Sequence, residues 1–580
     1  MVPVTPPRPR WLDGFAVLAC VGLALWIHRH ALGGFFGPDD FVVLERAHGL
    51  LPRPHSLWRI LFEGYVAGAF RAFGNVPQPY LVAAWLLHGV NVALLYAWAR
   101  RAGGGALAAT VAAGLFGVSR LHFTTLGQVA TGGELLSAGF LLAAFLAWGW
   151  RGWTGAAFAA VLFLAALLAK EHVALMPLIL LLPGPAGDPW RSRLGRSAPL
   201  LALGVLWWLY LISSGVPTSV LGGGAYATGT GVNLFHNLMT YAEWTVDLDR
   251  PVPDLFGTYS GVAWATGGWL YVGLGVAAWL ARRRHSLPAL GAAWWLLGLL
   301  PVIPLLYHSY LHYLYLPSAG LALALGGTLE WAALRLSTRD RGSAVRASRG
   351  ARVHAAPGSA WAWLPAVALV LGYAVASDRL IAARLHERLQ TLDLPIDPFL
   401  RKTELARRTA EGAAGAVRAG VRRMAFLVPE GPAGAYHDLI RETVDQGRGL
   451  RFLQSGLDSV AYVTRWGPAY GEFELFAQEP DGRTRRLGRG PEVLLEWSAL
   501  LAREGLADQA RTALDSALVA WPADSRLAGA RRQLEARLLT ASRAGAARTA
   551  PAGDFASARP PSGPSPRAGG PGRPGRSPPE

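Results

Sequence analysis

The sequence predicts an α-helical polytopic membrane protein, and three observations carry that prediction. Hydrophobic residues fill 52% of the 580 positions and charged residues only 16%, whereas a soluble globular chain carries about 25% charge. The apolar residues are clustered: stretches 156–169, 200–212, 289–300 and 319–326 contain no charge, and several reach bilayer length with their flanks. The basic residues behind the formal net charge of +17 gather in short loops between these stretches and in a Pro/Gly-rich tail. Topology and solvation explain that placement, so no nucleic-acid partner is expected.

Taken in order, the first span covers about 15–36 and follows Arg8 and Arg10. It is longer than the apolar region of a cleavable signal and reads as a retained anchor. Further spans are expected near 80–99, 104–119, 132–150, 153–169, 172–183, 199–214, 261–281, 287–305, 313–333 and 360–378, about eleven in all. Cys20, the single cysteine, lies inside the first span, which leaves no disulfide framework and no thiolate metal site.

Cytoplasmic loops carry an excess of Arg and Lys. An inside N-terminus places Arg100, Arg101, Arg151, Arg191, Arg193, Arg196, Arg282, Arg283, Arg284 and the arginines of 335–352 on the cytoplasmic side. The same alternation puts Asp39, Asp40, the 120–131 segment, Lys170, Glu171, loop 215–260, His308 and His312 together on the opposite side. The chain is thus expected to be a multi-pass cytoplasmic-membrane protein with its C-terminal region outside.

Two outer loops are longer than plain connections. Loop 38–79 contains HSLWRILFEGYVAGAFRAFG, an aromatic and basic mixture that suits a helix on the membrane surface. Loop 215–260 begins with a glycine-rich stretch and continues as NLFHNLMTYAEWTVDL, an amphipathic helical pattern containing Asn237 and Glu243. Residues 1–378 therefore form the membrane domain, and composition changes after it. Residues 379–545 carry ordinary charge and read as a small, mostly helical extracytoplasmic domain. Within it, two alternating runs joined by Pro480, Asp481 and Gly482 predict a hairpin. Residues 492–540 have the cadence of a tetratricopeptide-like helix pair. The 546–580 tail is Pro, Gly, Ser and Arg with almost nothing to bury, a disordered composition.

Few residues in the apolar region can carry chemistry. Asp39 and Asp40 follow the first span in FFGPDDFVVL. Two carboxylates there can supply a general base or hold a divalent metal, or serve as a solvated helix cap. Lys170 and Glu171 stand where two spans meet in LLAKEHVALM; the ammonium can bind an anionic phosphate that Glu171 orients and His172 contacts, or both charges can sit in the headgroup layer. Glu134 follows two glycines that permit close backbone approach, and it either lines a polar cavity or caps a helix. His122 reads as a candidate donor or as interfacial packing. His308 and His312, four apart, would share one helix face, beside Tyr313 and Tyr315 of a possible aromatic belt.

The order of these features resembles the C-type polytopic glycosyltransferases that use polyprenyl-phosphate sugar donors, and within them the protein O-mannosyltransferase-like membrane proteins with C-terminal tetratricopeptide repeats. Asp39-Asp40 is similar to the first-loop acidic motif, SRLHFTTLGQVATGGELL to the histidine-and-acid segment that brings in His122 and Glu134, AKEHVALMPLIL to the Lys-Glu turn, and HYLYLPSAG to the Tyr-Leu-Pro-Ser signature. The resemblance implies an inverting transfer of sugar from a polyprenyl-phosphate donor to an extracytoplasmic acceptor hydroxyl. In it Asp40 or Asp39 would be the base, with a metal held there in some members. The chain departs from the family pattern: Ser119-Arg120 replaces His-Pro, Thr131-Gly132 stands where a basic residue precedes the acid, and Leu311-His312 replaces Glu-Arg. Donor phosphate contacts are accordingly expected from Lys170, His312 or Arg120. A non-catalytic envelope scaffold, a transporter or flippase, and an oligosaccharide polymerase or ligase are the alternative functions.

Overall fold

The computed structural model describes residues 10–52, 57–150, 152–182, 189–214, 227–251, 261–281, 287–306, 309–347, 363–429, 435–464 and 470–548. The expected tail 546–580 falls outside these residues beyond 548, as do His308 and residues 215–226 of the glycine-rich loop start.

The membrane domain begins with α1 (Arg10–Ile27), continued by a 3-10 helix (His28–Gly33), then α2 (Pro38–His48), α3 (Ile60–Phe73), α4 (Pro77–Arg101) and α5 (Ala106–Gly117). A 3-10 turn (Arg120–His122) and α6 (Phe123–Leu126) lead to α7 (Gly132–Trp148) and α8 (Trp153–Ala169). There follow a 3-10 helix (Glu171–Leu181), α9 (Trp190–Ser213), α10 (Val232–Val246), α11 (Gly261–Ala281) and α12 (Leu287–Leu299). A short 3-10 turn (Leu311–Leu314) runs into α13 (Tyr315–Ala347), and α14 (Trp363–His386) completes the set. Among the described residues four helical segments are long and apolar enough to cross a membrane: Trp11–Gly33, Pro77–Arg101, Trp190–Ser213 and Trp363–His386. The bent pair Ala106–Gly117 and Arg120–Leu126 makes a fifth if it counts as one span. The chain is a multi-pass membrane protein. Four of the segments expected as spans, Gly132–Trp148, Trp153–Ala169, Glu171–Leu181 and Leu287–Leu299, are apolar helices of fewer than 18 residues.

Lipid supplies no hydrophobic force between helices, so they associate by close packing of small residues. Helices α12 and α13 meet in this way: a Cβ at Gly291 would lie 2.4 Å from the Gly320 carbonyl oxygen, and one at Gly320 would lie 2.6 Å from Trp295 N. The polar contacts sort the helix ends into two groups. At one end, Asp13 near the start of α1 meets Tyr96 and Arg100 late in α4, and Glu330 accepts from Gly105 N at the start of α5. At the other end lie the C-terminus of α1, the N-termini of α4, α7 and α13, and the C-termini of α5 and α8.

That second end also carries the mixed helix-and-strand region that follows α14. Helix α15 (Pro398–Arg418) precedes strand β1 (Arg423–Leu427), α16 (Ala435–Thr443), α17 (Arg448–Leu453), β2 (Ser459–Val463), β3 (Glu474–Gln478) and β4 (Thr484–Gly488). The sheet order is β2-β1-β3-β4, with β1 parallel to both β2 and β3, and β3 antiparallel to β4. The predicted hairpin is β3–β4. Strands β1 and β2 are additional to the mostly helical expectation, and β1 is a short, mostly buried run that resembles helical core in sequence. Phe36, Phe41, Leu44, Phe62 and Val66 of the first loop share one apolar cluster with Ala413, Met424, Phe426, Leu450 and Phe452. The surface helix expected in loop 38–79 is α3, and it is part of that cluster. A second compact unit starts at Leu494. It contains most of α18 (Pro491–Arg503), with α19 (Ala507–Ala520) and α20 (Ser525–Arg548), over the segment read as tetratricopeptide-like.

A buried ion pair joins α14 to the start of α15. Arg384 of α14 donates from Nε to Asp397 Oδ2 at 2.6 Å and from a terminal nitrogen to Thr124 Oγ1 at 3.1 Å, and Asp397 caps α15 by accepting from Phe399 N and Leu400 N. Breaking a buried pair on one side leaves an uncompensated charge and costs about 3–5 kcal/mol. Asp397→Ala is expected to lower the thermal midpoint in detergent strongly and to expose residues 388–400 to limited proteolysis. Unchanged stability and cleavage would refute the assignment of this pair as the joint.

Candidate functional site

The site is built where α7 begins and α8 ends. Gly133 lets these two segments touch, since a Cβ there would lie 3.0 Å from the Ala169 carbonyl oxygen and 3.6 Å from Lys170 Cδ. One residue on, the Glu134 carboxylate is 1% exposed and holds Lys170 Nζ at 2.9 Å and His172 Nε2 at 3.2 Å. Neither His172 ring nitrogen has hydrogen-bond geometry with a partner among the described residues, so its contact with Glu134 is one of proximity and charge. His312 stands within electrostatic range of Lys170, Glu134 and His172, and its ring packs on Tyr310 and edge-on to Tyr313. The Tyr313 ring centroid is 5.9 Å from Lys170 Nζ, a cation–π distance.

Glu171 is committed elsewhere. Arg59 grips it with both ends of its fork, Nε to Oε2 at 3.0 Å and a terminal nitrogen to Oε1 at 2.6 Å, and Trp58 Nε1 donates to Oε2 at 3.2 Å. The expected role of orienting a phosphate is therefore taken up by pinning the first loop. Arg59 and Trp58 were not among the sequence candidates. Their signal was the aromatic and basic mixture that precedes α3.

Asp40 and Asp39 have different surroundings. Asp40 is 1% exposed at the third position of α2, where Oδ2 accepts from Gly37 N at 2.8 Å and Oδ1 from Ala130 N at 2.7 Å. It closes the helix start and ties the first loop to the segment that opens α7. Burial pushes its carboxyl up to about 7, against the two amides, which favour the charge. Asp39 is exposed. Successive residues of a helix diverge by about 100°, so the two carboxylates do not form a pincer on one cation by sequence adjacency alone.

The other candidates fall outside the Lys170 cluster. Arg120, 2% exposed, donates to the backbone carbonyls of Trp244, Asp247 and Pro251, where it caps the C-terminal end of α10. Asn237 donates to Ile303 O and Leu305 O, and Glu243 pairs with Arg250 at 2.6 Å. His308 lies outside the described residues, and Tyr310, two residues before His312, is extended (φ −129°, ψ 143°). His122 and Tyr315 belong to a histidine group: the ligand nitrogens of His28, His88 and His122 lie within 4.8 Å of one another, so these three could hold a metal ion. His28 and His88 were missed, because they stand in different apolar spans far apart in the sequence.

No protein-family profile and no curated protein matches the chain. Among solved structures it is similar to ArnT from Cupriavidus metallidurans bound to undecaprenyl phosphate, with 13% identity and a TM-score of 0.40 over 81% of this chain and 94% of that one. It is also similar to the Archaeoglobus fulgidus oligosaccharyltransferase tethered with an acceptor peptide containing the NVT sequon, with 12% identity and a TM-score of 0.43 over 78% of this chain and 64% of that one.

The raised Asp40 carboxyl has a consequence for stability. Its folded value of about 7 exceeds the unfolded value of about 4, so the unfolded chain ionises more readily. Stability falls as pH rises between those values and is level above them, a loss on the order of 4 kcal/mol. Asp40→Asn, which cannot ionise, is expected to flatten the thermal midpoint between pH 4.5 and 7.5 relative to wild type. Parallel slopes would rule Asp40 out as their source.

Proposed function

We propose that the chain is a membrane glycosyltransferase that moves a sugar from a polyprenyl-phosphate donor to an extracytoplasmic acceptor hydroxyl, with inversion. The observation that carries the reading is the buried Lys170 cluster at one end of the membrane helices. An ammonium has three donor hydrogens, and the pairing with Glu134 uses one. The others, with the N–H groups of His172 and His312, form a donor set of the kind an anionic phosphate needs. The order of the sequence motifs points to the same chemistry. In our reading this end faces outward, with the N-terminus cytoplasmic and the 379–545 region on the donor-sugar side.

In the proposed reaction the acceptor oxygen attacks the anomeric carbon and forms the new glycosidic bond. The bond from that carbon to the phosphate oxygen breaks, and the phosphate leaves with its electron pair. Lys170, His172 and His312 stabilise the departing charge. The acceptor proton passes to a first-loop carboxylate. We assign that role to Asp39, which is exposed, and give Asp40 a positioning role, since both of its oxygens already receive backbone amides. Phosphate is a competent leaving group, so orientation and charge stabilisation dominate over acid catalysis. A divalent metal in this reaction would be held by Asp39, since both Asp40 oxygens are taken by backbone amides, and it would supply positive charge to balance the phosphate.

A non-catalytic envelope scaffold is the second reading, favoured by the neutral balance of the cluster: Lys170 and Arg59 are matched by Glu134 and Glu171. The two readings separate in one assay. Purified protein is incubated with labelled polyprenyl-phosphate sugars and hydroxyl acceptors. Wild type is expected to transfer label, and Asp39→Asn is expected to lose about 100-fold or more in kcat. Replacing both members of the buried pair (Lys170→Met with Glu134→Gln) avoids a lone buried charge and is expected to cost a similar factor in kcat/KM while leaving the thermal midpoint near wild type. Absence of transfer by wild type with every donor, or full activity of the double variant, would overturn the catalytic reading.

A further inference from the structure

Three histidines from separate elements meet among the apolar helices: His28 at the start of the 3-10 helix that continues α1, His88 in α4 and His122 in the turn before α6. All three are fully buried. Their ring centroids lie 5.2 Å apart for His28 and His88, 5.2 Å for His88 and His122, and 6.2 Å for His28 and His122.

The hydrogen bonds fix where the protons of two rings sit. His88 Nε2 lies 3.0 Å from the Gly117 carbonyl oxygen, which can only accept, so Nε2 carries the proton. His88 Nδ1 is then an acceptor, 2.9 Å from the Tyr315 hydroxyl. The Ser318 hydroxyl donates to the Tyr315 carbonyl oxygen at 2.7 Å, so at 2.8 Å it accepts from His122 Nε2. His122 Nδ1 is left as a bare lone pair with no partner among the described residues. Neither nitrogen of His28 meets hydrogen-bond geometry, although the Gly117 carbonyl is close by. Leaving a buried nitrogen unpaired is costly, and nothing apolar requires three imidazoles here.

We infer that His28, His88 and His122 bind a divalent first-row cation of the zinc class, through Nδ1 of His88 and His122 and one ring nitrogen of His28. Neutral imidazoles are the ligands of such ions, whereas magnesium and calcium need oxygen donors. In metal sites the outer nitrogen of a ligating histidine donates to a carbonyl or similar acceptor, and Gly117 O and Ser318 Oγ occupy that position here. Tetrahedral coordination at about 2.0–2.1 Å sets ligand nitrogens roughly 3.4 Å apart, so nitrogens now within 4.8 Å of one another close by on the order of 1 Å. His88 gives up its bond with Tyr315, whose hydroxyl is left beside the fourth position. The ion ties α1, α4 and the 120–122 turn together. Its presence is independent of whether the Lys170 cluster transfers sugar.

The test uses the full chain purified in detergent, loaded with zinc and desalted. Elemental analysis is expected to find about one zinc per chain, retained by His386→Ala, an exposed control, and reduced about tenfold or more in His28→Phe and His122→Phe. Cobalt loading of wild type gives a second readout that needs no variant: visible d–d absorption of a tetrahedral nitrogen site, bleached by added zinc. Monodisperse wild type that holds under about a tenth of an equivalent and gives no cobalt spectrum overturns the inference. So does zinc content that survives in folded His28→Phe and His122→Phe.

Discussion

The Glu134 carboxylate is the group on which this end of the molecule depends. It is almost wholly buried, and two nitrogens from the far side of α8, Lys170 Nζ and His172 Nε2, lie against it. A lone buried charge is among the most expensive features a fold can contain, so the α7 start and the α8 end are compelled to stay together. The contact is possible because position 133 has no side chain. Two further ties hold the same corner: Asp40 receives Ala130 N, four residues before Glu134, and Arg59 clamps Glu171, the residue after Lys170. Each tie starts in the first loop, so that loop is fixed to both walls of the cluster.

The distribution of polar groups follows from the solvent. Within the apolar layer the helices meet through small residues and buried rings, with no charge to place. Charges that the chain retains are driven to the helix ends, where they pair among themselves. Asp13 with Arg100 at one end is partly exposed, whereas Glu134 with Lys170 at the other is sealed. The apolar cluster formed by α2, α3, α15, α17 and the sheet explains the difference. It roofs the first loop, excludes water and raises the value of every electrostatic contact beneath it.

How much of this was legible in the sequence depended on whether the signal was local. Glycines followed by an acid at 132–134 and a Lys-Glu pair between two apolar runs are local patterns, and Glu134, Lys170, His172 and His312 do converge. The hairpin at 480–482 and the amphipathic helix within loop 215–260 are local too. The partner of Glu171 was not legible, because Arg59 is 112 positions away and leaves no trace in any window around it. Arg120 was read as a phosphate contact because charge type alone cannot distinguish an anion from the carbonyls that end a helix. The parallel strands β1 and β2 escaped notice because β1 is almost wholly apolar and β2 nearly so, without the alternation that marks an exposed sheet. Hydropathy registers apolarity and not helix length: a helix of 13 or 17 residues is as apolar as a longer one, so an apolar stretch does not by itself fix where its helix starts and stops.

Tyr315 shows why residue type also misleads about depth. Tyrosines near the ends of apolar runs suit the headgroup layer, but this ring is fully buried and its hydroxyl is used twice, toward His88 Nδ1 at 2.9 Å and from Asn91 Nδ2 at 3.0 Å. The same Asn91 nitrogen donates to the Leu135 carbonyl at 2.9 Å, one residue beyond Glu134. Asn91 reaches that position only because Gly139 lies opposite, where a Cβ would come within 2.7 Å of its Oδ1. One amide therefore links the histidine group to the backbone that carries the buried carboxylate. An amide in this place can satisfy both neighbours at once, whereas an aliphatic residue of equal volume would leave the Tyr315 hydroxyl without its donor and separate the two polar groups electrically as well as sterically.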